Sequence, residues 1–308
     1  MIAWRAKLAL FLKGLAMGAA DVVPGVSGGT IAFISGIYPQ LIKSLSSFDS
    51  AALKMLFKGD WRKLFAHVNA EFLLTLGLGI VASVLLLAEL LNQLLKSHPQ
   101  PLWGFFFGLI AASVTFLVRS QRIAKKSRWV FFLFGAVVAA ALSWAPPLVL
   151  NPTLPMLFAA GAVALCAMIL PGISGSFILL LLGLYPTLIA AVADRQLLLL
   201  AVFLSGGVCG LMLFSRLLRY AMQHFQQAII LLMSGFLLGS LTIVWPWRHP
   251  PTATDLRGNL WPSEFQLMYD DAQVAVSVAA MLAGAGLLYL LEVIRSQHAT
   301  NKLSQELR

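Results

Sequence analysis

The sequence predicts an all-α polytopic membrane protein built from two inverted repeats, each a re-entrant helical hairpin plus three transmembrane helices. Three observations lead to this fold class. The chain is too apolar for a water-soluble protein, and a Pro-Gly-x-Ser-Gly motif occurs twice. Most Lys and Arg residues fall on one side of the membrane only if each motif region enters and leaves from the same face.

The composition excludes a soluble globular protein. Of the 308 residues, 59% are hydrophobic and 11% are charged, whereas a soluble domain has about 25% charged residues. Apolar runs recur along the whole chain, so we expect a single membrane domain, 1–308. The net charge is +10. The basic residues lie between apolar runs, which is typical of cytoplasmic loops, and we therefore expect no nucleic-acid partner.

The doubled motif is part of a longer internal repeat. Residues 24–39 read PGVSGGTIAFISGIYP, and residues 171–186 read PGISGSFILLLLGLYP, at an offset of 147 positions. The proline, the glycines around the serine, and the final Gly-x-Tyr-Pro coincide in the two copies. A chance match of this length is improbable, so the two segments belong to the fold as equivalent parts.

A second match fixes the extent of the two halves. GFFFG at 104–108 corresponds to GFLLG at 235–239, now at an offset of 131, so the first half carries 16 additional residues after its motif. These residues belong to a basic stretch, 43–68, which we expect to lie on the anionic inner leaflet as an amphipathic helix. We predict homologous halves at 1–150 and 151–308.

Each motif lies in an apolar region with a helix break near its middle. In these regions, 14–46 and 157–193, the arms on either side of the break have about 12–18 residues, fewer than the ~20 of a full crossing. Short arms around a break favour a re-entrant hairpin. Three longer apolar runs follow in each half: about 72–91, 102–118 and 129–149 in the first, and about 197–214, 228–245 and 272–294 in the second.

The basic residues support this topology. With two hairpins and cytoplasmic N- and C-termini, 18 of the 22 Lys and Arg residues lie inside, and only Lys96, Arg195, Arg248 and Arg257 lie outside. A single crossing at each motif would leave the majority outside, against the positive-inside rule. A hairpin plus three crossings reverses the chain, so the second half is inverted and the two hairpin tips should meet near the middle of the membrane.

The motif has the features of an anion-binding site. A proline ends one helix, a glycine permits a sharp turn, and a serine caps a second helix whose N–H groups and positive dipole end face the break. Glycines would let a ligand approach the backbone, and hydroxyls add donors. The alternative is a helix break with packing glycines only. The candidate substrate-binding residues are Pro24, Gly25, Ser27, Gly28, Gly29 and Thr30 in the first copy, and Pro171, Gly172, Ser174, Gly175 and Ser176 in the second.

Asp21 is the only acidic residue in either hairpin. An ionisable group at membrane depth indicates function, and we predict that it carries a coupling proton or cation. The alternatives are that it pairs with Lys13 or caps nearby backbone. Met168 stands at the equivalent position of the second copy, so any coupling would be asymmetric.

Other chemistry-bearing patterns are missing from the sequence. It contains no P-loop, nucleophile elbow or metal-ligand spacing, so we expect a protein that is not an enzyme, without catalytic residues, cofactor or metal. Cys166 and Cys209 lie in different apolar segments and are predicted to be small core residues. GFFFG and GFLLG follow the small-xxx-small pattern of close helix packing. A homo-oligomer is compatible with these features.

These motifs resemble a known family. The segment GAADVV at 18–23 followed by PGVSGGTIAFISGIYP, together with LPGISGSFILLLLGLYP, is similar to the bacterial polyprenyl-phosphate transporters, long catalogued as a domain of unknown function. The resemblance spans essentially the whole chain. It implies an inner-membrane flippase that returns undecaprenyl phosphate from the outer to the cytoplasmic leaflet for reuse in cell-wall synthesis. It does not assign the residues that hold the phosphate.

Two other functions fit the residues. An ion-coupled secondary transporter of a small soluble anion would use the same site with a closed aqueous path. An integral-membrane enzyme that acts on lipid phosphate would need a nucleophile with His or Arg neighbours, and neither hairpin contains a His. A lateral opening at the hairpins would favour a lipid, and a sealed central cavity would favour a soluble anion.

Overall fold

The protein is α-helical. A computed structural model describes residues 4–22, 26–120, 128–145, 153–249, 258–269 and 271–306. Within these ranges the one strand-like pairing is an isolated antiparallel bridge between Arg248 and Asn259. The predicted all-α class is confirmed.

In the first half, two short helices lie between the predicted hairpin region and the longer helices that follow. The helices of this half are α1 (Trp4–Val22), α2 (Gly28–Ile34), α3 (Tyr38–Ser46), α4 (Ser50–Phe57), α5 (Trp61–His67), α6 (Ala70–Ser97), α7 (Pro99–Ser120) and α8 (Trp129–Trp144).

The helices of the second half follow the same order without counterparts of α4 and α5, and with a short extra helix before the last one. They are α9 (Leu154–Ile169), α10 (Gly175–Leu181), α11 (Tyr185–Ala193), α12 (Leu197–His224), α13 (Gln226–Ser240), α14 (Pro262–Met268) and α15 (Val274–Glu306).

Corresponding helices make corresponding contacts. α1 packs along α6, and α9 packs along α12. The last two helices of each half exchange partners, because α7 packs along α15 while α8 packs along α13. This pairing joins the two halves over a large surface. The inversion of one half relative to the other stays a prediction.

Small residues allow the long helices to pack closely. A Cβ on Gly108 of α7 would collide with the backbone of Met281, and a Cβ on Gly235 of α13 would collide with the backbone of Phe132. Because lipid offers no hydrophobic force to drive helices together, such backbone contacts and their dispersion energy hold the bundle. The predicted packing role of GFFFG and GFLLG is confirmed.

Large apolar side chains cover the outer surface of the long helices. Leu85 of α6 is 77% exposed and Leu213 of α12 is 67% exposed. Among the described residues, three segments are long and apolar enough to cross a membrane, or four if α10 and α11 count as one bent span. The three segments are Ala70–Leu87, Pro99–Arg119 and Leu197–His224. The chain is therefore a multi-pass membrane protein.

One of the three crossings predicted in each half corresponds to a helix shorter than a full span, and the number of crossings stays a prediction. α8 has 16 residues and α13 has 15, fewer than the ~20 that span the hydrocarbon core. These two helices pack against each other. The remaining predicted crossings stay predictions.

The second arm of each predicted hairpin contains a further bend that the sequence analysis did not predict. It consists of two short helices, α2 with α3 and α10 with α11, and the second pair is bent by 112°. The bends fall at Gly36 (φ +75°) and Gly183 (φ +68°), in the left-handed region that glycine tolerates best. Pro39 and Pro186 then lie in the first turn of the following helix, where a missing N–H is harmless.

The basic stretch forms two helices instead of the single amphipathic helix expected. Asp49 caps α4 by accepting a hydrogen bond from the N–H of Ala52. The chain turns at Gly59, and α5 begins at Trp61. We call residues 47–69, which contain both helices, the insertion.

Candidate functional site

Residues of the first motif and Asp21 cap the N-terminus of the short helix α2. The Ser27 hydroxyl caps α2 by accepting a hydrogen bond from the N–H of Gly29 at 3.1 Å. The Asp21 carboxylate accepts one from the N–H of Gly28 at 2.7 Å, and the N–H of Thr30 donates to the Ser27 carbonyl. The first three N–H groups of α2 therefore all have protein acceptors. Pro24 and Gly25 lie outside the described residues.

Two ionisable side chains of α1 bracket this helix. Asp21 lies at the N-terminus of α2, where the helix dipole favours a negative charge. The Lys13 ammonium donates to the carbonyl of Ser35, the residue that ends α2, at 3.0 Å. A cation is favoured at that end. The structure thus gives Asp21 the backbone-capping contact considered among its alternatives.

The second motif lacks both charges. Ala160 and Met168 stand where the first half has Lys13 and Asp21. The Ser174 hydroxyl lies 2.9 Å from that of Ser176, and makes no cap to the backbone of α10. Ser27 is thus confirmed as an N-cap. For Ser174 the prediction was wrong, because its hydroxyl bonds a neighbouring side chain instead.

The N-terminus of α10 is not capped in this way, although Gly175 is buried and a Cβ on it would collide with the Ala164 carbonyl. Within the described part of the chain, no protein acceptor is recorded for the N–H groups of Gly175, Ser176 and Phe177. The Ser176 side chain is half-buried, whereas Ser174 is buried. Two hydroxyls and up to three backbone donors therefore lie together at this point, with no acidic side chain from the equivalent position of the repeat.

The two motifs meet, as the sequence predicts. The Ser27 hydroxyl donates to the Met168 carbonyl at 2.8 Å, and the N–H of Gly172 donates to the Thr30 hydroxyl at 2.9 Å. Ser27 and Thr30 are each 1% exposed. These bonds satisfy polar groups of one break with groups of the other, 141 and 142 positions away.

The glycines of the motifs lie where neighbouring protein atoms leave no room for a side chain, which corrects the role expected of Gly28 and Gly29. A Cβ on Gly28 would collide with the Asp21 carboxylate, and a Cβ on Gly29 would collide with the Ile169 carbonyl. Protein atoms, not an open space for a ligand, lie beside both positions. Gly172 has φ +84° and lies against the backbone of Phe236 in α13. The buried Pro171 precedes it in the turn after α9.

Sequence reasoning missed three contributors. The carbonyls of Met168 and Ile169 contact the first motif, and Lys13 supports the far end of α2. A backbone carbonyl carries no sequence signal. Lys13 does, because a Lys that interrupts an apolar run eight residues before an Asp on the same helix suggests that both charges serve one neighbouring element.

Metal ligands do not cluster in the part of the chain that the structure describes. No group of three or more His, Cys, Asp or Glu residues lies close enough to hold an ion. Cys166 and Cys209 are free thiols on different helices, and Cys209 is exposed, unlike the core position expected for it.

Comparison with known proteins identifies the family. Residues 17–259, which include both motifs, match the undecaprenyl phosphate translocase-like family. The chain belongs to this family. The resemblance inferred from the doubled motif is confirmed.

Two relatives extend the match over most of the chain. A polyprenyl-phosphate transporter of Vibrio cholerae serotype O1 is 43% identical over 295 residues, covering 92% of this chain and 96% of the relative. A polyprenyl-phosphate transporter of Staphylococcus aureus is 34% identical over 254 residues, covering 76% of this chain and 85% of the relative. No solved structure matches the chain.

Replacing the two equivalent serines tests the asymmetry of the site. Ser27→Ala removes a helix cap and a bond between the motifs, so we expect it to lower the free energy of unfolding by about 1–2 kcal/mol. Ser174→Ala removes only a contact between hydroxyls and should cost clearly less. Unfolding of both purified variants in one detergent measures the difference. An equal loss, or a larger loss at Ser174, would contradict the assigned contacts.

Proposed function

We propose that this protein is a translocase that moves undecaprenyl or another polyprenyl phosphate from the outer to the cytoplasmic leaflet of the bacterial inner membrane. The transported lipid is then a carrier recycled for cell-wall synthesis. Family membership and the names of both relatives support a lipid-phosphate substrate. They favour transport over catalysis and a lipid over a soluble anion.

The proposed location of the site rests on one observation. The N-termini of α2 and α10 lie at the two helix breaks, and within the described residues only the N–H groups of α2 have protein acceptors. At α2 the protein's own carboxylate, Asp21, takes the position that an anion would take. At α10, Met168 replaces that acid and the Ser174 and Ser176 hydroxyls lie beside backbone donors. We therefore propose that the lipid phosphate binds on the α10 side of the junction, where hydroxyls and N–H groups replace its water.

The lipid tail does not need a pocket of its own in this proposal. The outer faces of the long helices carry exposed aliphatic side chains such as Leu85 and Leu213. A polyprenyl chain can remain in the bilayer against such surfaces while only the head group enters the protein. This requires a lateral opening towards α10, and the exposed Leu180 on that helix is compatible with it.

Asp21 is proposed as the coupling group. Its carboxylate, while ionised, makes a charge-assisted hydrogen bond to the N-terminus of α2, and this helix is bonded to the second motif through Ser27 and Thr30. A proton or cation on the carboxylate would weaken that bond and loosen α2 against the second motif. Charge at Asp21 and the geometry of the junction would then be linked.

The orientation belongs to the same proposal. We propose inverted halves, hairpins that enter from opposite faces, and cytoplasmic N- and C-termini. The distribution of Lys and Arg supports this orientation. The repeated helix pairing, α1 with α6 and α9 with α12, supports the division into two equivalent halves.

An acid placed at the uncapped N-terminus of α10 tests the proposed phosphate site. Met168→Asp should install the carboxylate that the first half carries at Asp21 and compete with the lipid phosphate. We expect transport of labelled undecaprenyl phosphate in proteoliposomes to fall at least about tenfold, as for one lost charge-assisted contact plus repulsion. Met168→Asn has nearly the same shape without the charge and should retain most of the activity.

Two results would contradict this assignment. Equal activity of Met168→Asp and wild type would show that the phosphate does not bind at α10. The second result is that the folded wild-type protein transfers no lipid under any imposed gradient and yet transfers a small soluble anion. In that case the substrate would be the soluble anion and not the lipid.

Asp21→Asn tests coupling in the same vesicles. The Asn side-chain oxygen can still accept from the N–H of Gly28, so the fold should persist, but the group no longer ionises. We expect wild-type transport to respond to an imposed proton or sodium gradient and the variant to transport at a rate independent of it. A variant that responds to the gradient as wild type does would exclude Asp21 as the coupling group.

A further inference from the structure

The insertion forms one wall of a cavity that is separate from the motif junction. The cavity has a volume of about 530 Å³, within the range of roughly 300–1,000 Å³ that is usual for ligand pockets. It lies between α4 and α5 on one side and α6 and α12 on the other, and none of the candidate motif residues lines it. Its walls are mostly apolar and include Leu53, Leu56, Leu64, Phe65, Leu73 and Met212.

A guanidinium lies among these apolar walls. Arg216 of α12 lines the cavity and donates one hydrogen bond to the carbonyl of Phe48, at 2.6 Å. A guanidinium has five N–H donors, so Arg216 keeps donors for an anionic group. One turn further along α12, Arg219 donates to the Ser46 hydroxyl. These contacts attach the end of α3 and the start of the insertion to α12.

The surface of the insertion combines exposed aromatic and aliphatic side chains with cations. Phe57 is 82% exposed and Trp61 is 57% exposed. Lys54, Lys58 and Arg62 are exposed on the same two helices. Apolar and basic side chains side by side are typical of a segment that lies in the interface of an anionic membrane.

The acidic residues of the insertion do not offset these cations. The exposed Asp60 forms an ion pair with Lys63. Asp49 caps α4 and contacts His67 at 3.1 Å. The N–H of Ala52, which donates to Asp49, lowers the pKa of this carboxyl. Asp49 also lines the cavity, together with Arg216. The insertion as a whole carries four Lys and Arg residues against two Asp residues, and this excess of positive charge is complementary to an anionic head group.

The second half has no such structure. Three residues, Asp194 to Gln196, join α11 to α12 directly, whereas the insertion joins α3 to α6. The cavity is therefore a feature of one face of the protein only. That face is the one that the basic residues predict to be cytoplasmic.

We infer that this cavity binds an anionic glycerophospholipid of the surrounding leaflet, with one acyl chain between α4, α5 and α6 and its phosphate at Arg216. The apolar walls suit an alkyl chain, the guanidinium suits a phosphate, and the neighbouring basic residues select an anionic over a zwitterionic lipid. Bound lipid would attach the insertion to α12. This inference does not depend on the transport proposal.

Lipid binding to the purified full-length protein tests the inference. The probes are phosphatidylglycerol and phosphatidylcholine with identical acyl chains, titrated in detergent, with retention measured by native mass spectrometry and stability by thermal unfolding. We expect wild type to retain one phosphatidylglycerol in preference to phosphatidylcholine. Arg216→Gln should weaken the apparent affinity about tenfold, as for one charge-assisted contact.

A second variant fills the cavity. Ala52 is buried and lines it, so Ala52→Leu should displace the acyl chain, while Ala51→Leu changes the adjacent residue outside the lining as a matched control. Arg5→Gln is the control for charge, since Arg5 is exposed on the same predicted face and away from the cavity. Both controls should bind phosphatidylglycerol as wild type does.

Three outcomes would overturn the inference. The first is equal retention of phosphatidylcholine and phosphatidylglycerol. The second is an equal loss of binding in Arg5→Gln and Arg216→Gln, which would indicate a diffuse effect of charge. The third is retention of undecaprenyl phosphate by wild type at a lower concentration than phosphatidylglycerol, with that retention lost in Ala52→Leu, which would assign the cavity to the transported lipid. Arg216→Gln keeps the test valid if Ala52→Leu does not fold.

Discussion

A polypeptide that breaks its helix inside a membrane must find partners for the freed N–H and C=O groups within the protein, because lipid offers none. Two helix breaks meet here, and hydroxyls of the first satisfy backbone groups of the second. The Ser27 hydroxyl bonds the Met168 carbonyl, and the N–H of Gly172 bonds the Thr30 hydroxyl. The close approach of the two halves, and the glycines that permit it, follow from this requirement.

The same constraint explains why a symmetric motif has asymmetric ends. In the first half α1 supplies a carboxylate and an ammonium that hold α2 at both ends, through Asp21 and Lys13. In the second half α9 has Met168 and Ala160 at those positions, and the donors of α10 lack protein acceptors within the described residues. One half thus has a fixed helix, and the other has the polar end at which we propose that the lipid phosphate binds. A translocase needs both a stable frame and a site that exchanges its ligand.

The sequence predicted the helical fold, the repeat, the meeting of the motifs and the packing role of GFFFG because each follows from residue type and spacing. It did not predict the bend at Gly36, although the Gly-x-Tyr-Pro that causes it was visible in both copies. The sequence Lys-Gly-Asp at 58–60 also indicated the turn at Gly59 that divides the insertion into two helices. The contact of Gly29 with the Ile169 carbonyl was not predictable. Every residue has a backbone carbonyl, so the residue type at a position 140 residues away does not indicate which carbonyl Gly29 will contact.

The proposed inversion of the two halves is tested most directly by measuring from which side of the membrane each hairpin can be labelled. Lys43 at the end of α3 and Arg195 after α11 are exposed, equivalent ends of the two hairpins. Each would be replaced by Cys in a chain whose Cys166 and Cys209 are changed to Ala, and labelled with an impermeant maleimide. The account predicts labelling of Lys43→Cys only in inside-out vesicles and of Arg195→Cys only in intact cells with a permeabilised outer envelope. Labelling of both positions from the same side would contradict the inverted arrangement.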